Sequence, residues 1–216
     1  MSMPAPFASA DHFDALHRDS ADPWGVHARW YERRKRDLLL AALPRARYGQ
    51  IYEPGCSVGG NTLALAVRCD RLVASDASRA AIDRAASALA GFDNVELLHG
   101  RFPALWPTTP SDLVVVAELA YYLPNEDFQR FLATVADHLQ PGGQLLMCHW
   151  RGRIGDAATS GDAVHTEARQ VVPLAHVGGW QDEDMRIDVW QRGGQTSVAT
   201  TGGAQERLAP AVESAP

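Results

Sequence analysis

The chain has 216 residues, 46% of them apolar, a formal net charge of -6 and three cysteines. That length suits one domain with a sizeable core, while the absence of any run of about 18 apolar residues excludes a membrane span and the negative charge argues against a large non-specific nucleic-acid surface. Cys56, Cys69 and Cys148 follow no metal-type spacing, and the start, MSMPAPFASADHFD, lacks the basic residues and apolar run of a secretory signal, so a reduced, cytoplasmic setting is expected.

Residues 1–21 are mixed and polar and read as a flexible N-terminal segment. Asp22-Pro23-Trp24 punctuates the chain, and a helix is expected over 27–43, closed by Pro44. Residues 50–53 suit a short buried strand, followed by a glycine loop and a helix over 61–67. A second strand is expected over 71–75, ending at Asp76. Ser78 is placed to cap the next helix, which runs to Ala90 with Gly91 at its end. A third strand follows over 95–98, and a fourth over 113–117 that is apolar throughout, as a strand covered on both faces must be. Then come a helix over 125–139, Pro141-Gly142-Gly143 and a fifth strand over 144–150.

Alternating strands and helices through the first 150 residues predict an open parallel sheet with right-handed crossovers. The remainder differs. A helix over 162–169 precedes two strand-like runs, 174–180 and 185–190, separated by about four residues. That is too short for a parallel crossover, so the pair is expected to form an antiparallel hairpin. The domain is expected over 22–190, and the Gly-, Ala-, Ser- and Thr-rich residues 191–216 read as a flexible tail.

The stretch IYEPGCSVGGNT carries the chemistry. In an open parallel sheet, ligands sit beyond the carboxyl ends of the strands, where the winding reverses. The loop Gly55–Gly60 leaves the first strand at that place, but Ser57 stands where the dinucleotide fingerprint G-x-G-x-x-G has its second glycine. Glu53 precedes the loop, and a pyrophosphate disfavours that charge. Asp76 closes the second strand, 23 residues after Glu53, where an acid commonly binds two ribose hydroxyls. A nucleoside carrying an amino acid fits both carboxylates better than a dinucleotide does, and S-adenosylmethionine (AdoMet) is such a molecule.

EPGCSVGG, RCDRLVASDAS, WP…SDLVVVAELAYYL, LQPGG and CHWRGRIGDAATSGDAVH together resemble the class I AdoMet-dependent methyltransferases. The segment DPWGVHARWYERRKRDLLLAALPRARY extends the likeness, over about residues 22–190, to the nodulation protein S family of rhizobial chitooligosaccharide N-methyltransferases. The resemblance implies an α/β, Rossmann-like seven-stranded sheet, mostly parallel with an antiparallel C-terminal strand and helices on both faces. It implies that Gly55 and its neighbours Cys56, Ser57 and Gly59, with Glu53 before them, border the methionine portion of AdoMet, that Asp76 holds the ribose, and that Ala77 and Ser78 lie by the adenine. The family often has an acid after the third strand; here the segment is His99-Gly100-Arg101-Phe102, so Gly100, backbone groups of Arg101 and the Phe102 ring are the expected adenine neighbours.

A basic run such as Arg33-Arg34-Lys35-Arg36 is usually a solvated helix face. The AdoMet carboxylate nevertheless needs a cation, and arginine binds carboxylates through paired hydrogen bonds. Trp30, Arg33 and Arg34 share a helix side, so Arg34, then Arg33 or Arg29, is the expected partner, with Trp24 and Trp30 forming a lid. Lys35 is the chain's only lysine and the one candidate for lysine-based covalent chemistry.

Methyl transfer is an in-line displacement that needs alignment, exclusion of water and a route for the acceptor's proton. Glu118 and His149 end the fourth and fifth strands, adjacent in the expected sheet, and are the candidates for acceptor contact or proton removal. Glu118 and Leu119 are also expected to border the cofactor. Tyr121 and Tyr122 follow at the same rim, where they can stack on a sugar face; Trp150, Arg151 and His165 are further pocket candidates. No ligand set for a metal is recognised. The expected function is AdoMet-dependent methylation of a small-molecule or sugar amine, possible acceptors including a deacetylated chitooligosaccharide, by a monomer or weak homodimer that binds neither nucleic acid nor membrane. The alternatives are a small-molecule O-methyltransferase and a non-catalytic AdoMet-binding regulator.

Overall fold

The computed structural model describes residues 9–194 and 198–201. Helices α1 (Ala10–Asp19) and α2 (Trp30–Ala42) precede β1 (Tyr48–Pro54), α3 (Gly60–Ala66), β2 (Cys69–Asp76), α4 (Arg79–Ala88), β3 (Val95–His99) and β4 (Ser111–Ala117). A single 3₁₀ turn, Ala120–Tyr122, leads to α5 (Asn125–His138), β5 (Leu139–Trp150), α6 (Gly161–Val171), β6 (Ala175–Gln181) and β7 (Met185–Gln191), and a short α7 (Val198–Thr201) follows. The seven strands form one sheet in the order β3-β2-β1-β4-β5-β7-β6. β1 to β5 are parallel. β7 inserts antiparallel between β5 and β6, which closes the expected hairpin. The winding reverses between β1 and β4, so the crevice expected to bind ligand opens beyond their carboxyl ends.

Apolar runs on these strands are buried on both faces. One face packs Tyr52, Val114, Val116, Leu145 and Met147 against Phe128, Phe131 and Leu132 of α5 and Val164 of α6. The opposite face packs Ile51, Leu72, Leu113, Val115 and Leu146 against Leu39 of α2, Leu65 of α3 and Ile82 of α4. The period-two alternation along β4 and β5 therefore decides which helix layer each side chain meets.

Several expected boundaries shift. The loose segment expected over 1–21 holds α1, capped by Ser9, whose hydroxyl accepts from the His12 amide. Asp14 docks this helix on α4 by accepting from the Ser78 hydroxyl and the Ala80 amide. The second helix begins at Trp30 rather than near His27, because the Asp22 carboxylate accepts from the Val26 and His27 amides and holds a turn there. Helix α4 ends at Ala88, short of Gly91. Gln191 belongs to β7, where its amide side chain bonds that of Gln144; positions 195–197 and 202–216 of the expected tail lie outside the described residues.

A buried polar chain crosses the β5 side of the sheet. The Ala120 amide donates to Nε2 of His149 at 3.1 Å. That leaves the His149 proton on Nδ1, facing Nε2 of His165 at 3.0 Å, and the His165 proton on Nδ1, facing Asp188 at 2.8 Å. Burial pushes both imidazoles towards the neutral form. Burial works against the Asp188 carboxylate, but hydrogen bonds from His165 and His176 and the Arg186 guanidinium hold it at about 2. The folded value lies below the ordinary 3.8, so Asp188 contributes stability that is complete above about pH 4 and lost as pH falls towards 2. An asparagine there can offer an oxygen to one side only. Asp188→Asn is expected to lower unfolding free energy at pH 7 by about 3 kcal/mol in urea titrations, with the gap to wild type narrowing in acid; equal urea midpoints at pH 7 would remove this chain from the supports of the fold.

Candidate active site

At the end of β1 the backbone turns through three left-handed residues, Gly55 (φ 72°), Ser57 (φ 50°) and Gly59 (φ 86°). Glycine suits two of them because it carries no Cβ; a Cβ on Gly55 would also meet the Leu119 side chain at 3.1 Å. Gly55 and Cys56 donate their amides to the Ser75 carbonyl, which ties the loop to β2. Asp76 then accepts from the Ser57 amide on Oδ2 at 2.9 Å and from the Ser78 amide on Oδ1 at 2.8 Å. Burial pushes the Asp76 carboxyl up, and the two amides work against that shift.

This loop forms part of the wall of a cavity of about 590 Å³, a volume ordinary for a small-molecule site. Of the expected site residues, the cavity brings together Trp24, Gly55, Cys56, Ser57, Asp76, Ala77, Gly100, Arg101, Phe102, Glu118, Leu119, Tyr121 and Tyr122, with Trp150 at its edge. Helix α1 covers it with Phe13 and His17, the latter packed edge-on to Trp24. Helix α2 adds Arg29, Tyr31, Glu32, Lys35 and Arg36.

Opposite the glycine loop, Glu118 adopts a left-handed conformation (φ 53°) immediately after β4. Its Oε1 accepts from Lys35 Nζ at 2.9 Å, and its Oε2 accepts from the Tyr121 hydroxyl and, at 3.1 Å, from the Trp150 amide. Lys35 also pairs with Glu32 at 2.8 Å. Burial alone would neutralise this lysine, but Glu118 and Glu32 outweigh it and raise its pKa, so the ammonium stays charged. A charged lysine does not serve as a nucleophile; its place is structural and electrostatic.

Five expected site residues lie elsewhere. Arg34 pairs with Asp182 at 2.7 Å and does not line the cavity. Trp30 is 68% exposed, beneath the Arg33 guanidinium. The face of α2 that turns inward carries 32, 35, 36 and 39, with Lys35 and Leu39 buried, so the 30/33/34 side faces away. Arg36 and Arg29 are the α2 arginines on the cavity. His149 has both ring nitrogens engaged and is fully buried behind the Ala120 turn, because β5 alternation puts it on the α6 side. It positions the loop and is not available as a base. Gly59 serves as the N-cap of α3. Glu53 is buried beneath the loop, where Thr62 donates to it at 2.7 Å. Among the weaker candidates, Arg151 is bound to Asp162, His165 to the Asp188 chain, and Ser78 to the cap of α4 and to Asp14.

Sequence reasoning missed Phe13, His17, Tyr31, Glu32 and Arg36 as cavity residues, and left Lys35 as the one candidate for lysine-based covalent chemistry. The Glu32–Lys35 spacing of three was a usable signal; Glu118 as the second partner was not. Two buried side-chain atoms among the described residues have no hydrogen-bond partner, Nδ1 of His17 and the Tyr31 hydroxyl, and both residues line this cavity. Orphaned buried polar atoms on residues that line a cavity mark hydrogen-bonding capacity that the protein itself leaves unused. Asp76 still has lone pairs free after accepting two amides. The residues present therefore fit a nucleoside carrying an amino acid.

Proteins similar to this chain include methyltransferases. A methyltransferase-domain family matches residues 51–143. A candidate methyltransferase from Pseudomonas syringae is 40% identical, with a TM-score of 0.68 over 76% of this chain and 100% of that one. The N-methyltransferase NodS from Bradyrhizobium japonicum WM9, solved with S-adenosyl-L-homocysteine, is 25% identical, with a TM-score of 0.76 over 84% of this chain and 98% of that one. Nodulation protein S of Rhizobium tropici is 29% identical over 140 residues, 63% of this chain and 59% of that protein's length.

Burial raises the Glu53 pKa from 4.5 to about 7, against hydrogen bonds from Thr62 and Asn61. A raised carboxylate favours folding at low pH and loses that advantage as pH rises through the folded value. Glu53→Gln is thus expected to gain stability relative to wild type between about pH 5 and pH 8, by up to about 3 kcal/mol, in the ligand-free protein. Parallel pH profiles of the two denaturation midpoints would contradict the buried, uncompensated charge.

Proposed function

The chain belongs to the class I AdoMet-dependent methyltransferases, and on that premise we propose that it methylates an amine of a small molecule or sugar, with a deacetylated chitooligosaccharide as the specific candidate. When bound, AdoMet supplies an electrophilic methyl carbon, whose bond to sulfur breaks with its electron pair left on sulfur as the bond to the acceptor nitrogen forms. Asp76 is the residue proposed to accept from the ribose hydroxyls. The loop Gly55–Cys56–Ser57 borders the amino-acid portion, and Arg36, with Arg29 beside it, replaces Arg34 as the proposed carboxylate partner. Gly100, Arg101, Phe102 and Ala77 form the proposed adenine side. Phe13, Trp24 and Tyr122 exclude water above the reacting atoms.

The observation that carries the amine reading is the state of Glu118. Both its oxygens are engaged, by Lys35 on one side and by Tyr121 and the Trp150 amide on the other. His149 is engaged on both nitrogens as well. A hydroxyl acceptor needs a base as its oxygen attacks, whereas a neutral amine attacks without one and sheds its proton afterwards. A site whose strand-end acid is ion-paired to a charged lysine, and whose imidazole is bonded on both nitrogens, therefore supports amine chemistry over hydroxyl chemistry. The N-methyltransferase named among the structural neighbours adds to that reading.

Incubation with AdoMet and a panel of glucosamine oligomers and phenols, with products read by mass spectrometry, tests it. An N-methyl glucosamine product is expected, with kcat/KM rising with pH until the acceptor amine is fully deprotonated. An O-methyl product would transfer the reading to a hydroxyl acceptor. Tight AdoMet binding without turnover on the whole panel would make the protein an AdoMet-binding regulator.

A further inference from the structure

We propose that the Tyr31 hydroxyl anchors the methyl acceptor, its oxygen accepting a hydrogen bond from the acceptor amine; this rests on the amine reading above. The two orphaned polar atoms of the cavity belong to different ends of it. His17 sits by the cofactor loop, with Nε2 3.4 Å from the Ser57 hydroxyl. Tyr31 sits by the strand ends of β4 and β5. The Lys35 ammonium lies 5.2 Å from its ring centroid, and Lys35 in turn holds Glu118. On that wall Lys35 is paired with Glu32 and Glu118, and Tyr121 with Glu118, while the hydroxyl-bearing Tyr122 and the acidic Asp184 also line the cavity. The Tyr31 hydroxyl is buried without a hydrogen-bond partner among the described residues.

The chemistry of the hydroxyl suits this task. Burial, followed by the nearby Glu118 charge, raises the Tyr31 pKa, so the phenol stays protonated and takes no proton from the acceptor. A neutral phenol oxygen accepts an N–H and leaves the nitrogen lone pair free to point at the methyl group. As nitrogen becomes positive during transfer, that hydrogen bond strengthens, which is the differential binding that accelerates a reaction. Tyr31 would then orient the nucleophile without competing for its lone pair.

Tyr31→Phe isolates the hydroxyl. The ring and its contact with Lys35 remain, and no hydrogen bond within the protein is lost, so the melting temperature is expected to stay level or rise. AdoMet affinity, by calorimetry, is expected to remain within about twofold of wild type. Affinity of a glucosamine oligomer for the complex with S-adenosyl-L-homocysteine is expected to fall roughly tenfold or more, and kcat/KM for that acceptor to fall at least as far. Unchanged acceptor affinity overturns the anchor. So does a loss of AdoMet affinity, which would make Tyr31 a cofactor residue. Wild type that methylates only the phenols of the panel defeats the amine reading separately, and the same comparison run on the phenol then decides whether Tyr31 anchors any acceptor. Wild type that binds no acceptor on the panel defeats both.

Discussion

The carboxylate of Asp76, gripped by two backbone amides from different elements, is the constraint on which the cavity depends. One amide comes from Ser57 in the glycine loop and the other from Ser78 at the head of α4. These bonds fix the separation between the loop after β1 and the helix after β2, and hence the floor of the crevice at the reversal of the sheet. The left-handed residues of the loop put the Ser57 amide where Asp76 can receive it. Helix α1 adds a roof through the same neighbourhood, because Asp14 holds Ser78 and the Ala80 amide while Arg84 donates to the His17 and Ser20 carbonyls. Floor and roof are thus coupled at the start of α4.

Glu118 plays the matching part at the ends of β4 and β5. A buried carboxylate and a buried ammonium are each unfavourable alone, and stable together when their remaining hydrogen-bonding capacity is filled. Lys35 draws α2 against the strand ends through one oxygen of Glu118, while Tyr121 and the Trp150 amide donate to the other. Beneath it, the chain from the Ala120 amide through His149 and His165 to Asp188 sets the height of the 3₁₀ turn that carries Tyr121 and Tyr122. Lys35, Glu32, Glu118 and Tyr121 thus engage one another at the ends of β4 and β5. Such a site favours alignment over acid–base work, as transfer from a good leaving group requires.

Much of the fold was legible in the sequence because its signals are local. Parallel strands covered on both faces read as unbroken apolar runs such as Leu113–Ala117, and a four-residue link between 180 and 185 permits a hairpin and no crossover. The glycine loop and Asp76 were legible for the same reason: a left-handed turn and an acid at a strand end are properties of short stretches. Helix α1 was less so, since its inward side is Ala10, Phe13, Leu16 and His17 among polar residues. The phase of α2 was misread because four consecutive basic residues hide which one is buried. Lysine is seldom interior without a partner, and the partner that settles it, Glu118, lies 83 residues away. His149 was placed by its strand end correctly, but which face it took depended on the register of β5 with its neighbours, and its partners His165 and Asp188 come from α6 and β7.

The account stands on a nucleoside held over the sheet by the acid that ends β2. The direct measurement is the AdoMet dissociation constant of Asp76→Ala by calorimetry, alongside a melting curve showing that the variant is folded. Removing a carboxylate that accepts two hydroxyls should weaken binding by about a hundredfold or more. An affinity equal to wild type in the folded variant would contradict the proposed pocket and the acceptor geometry built on it.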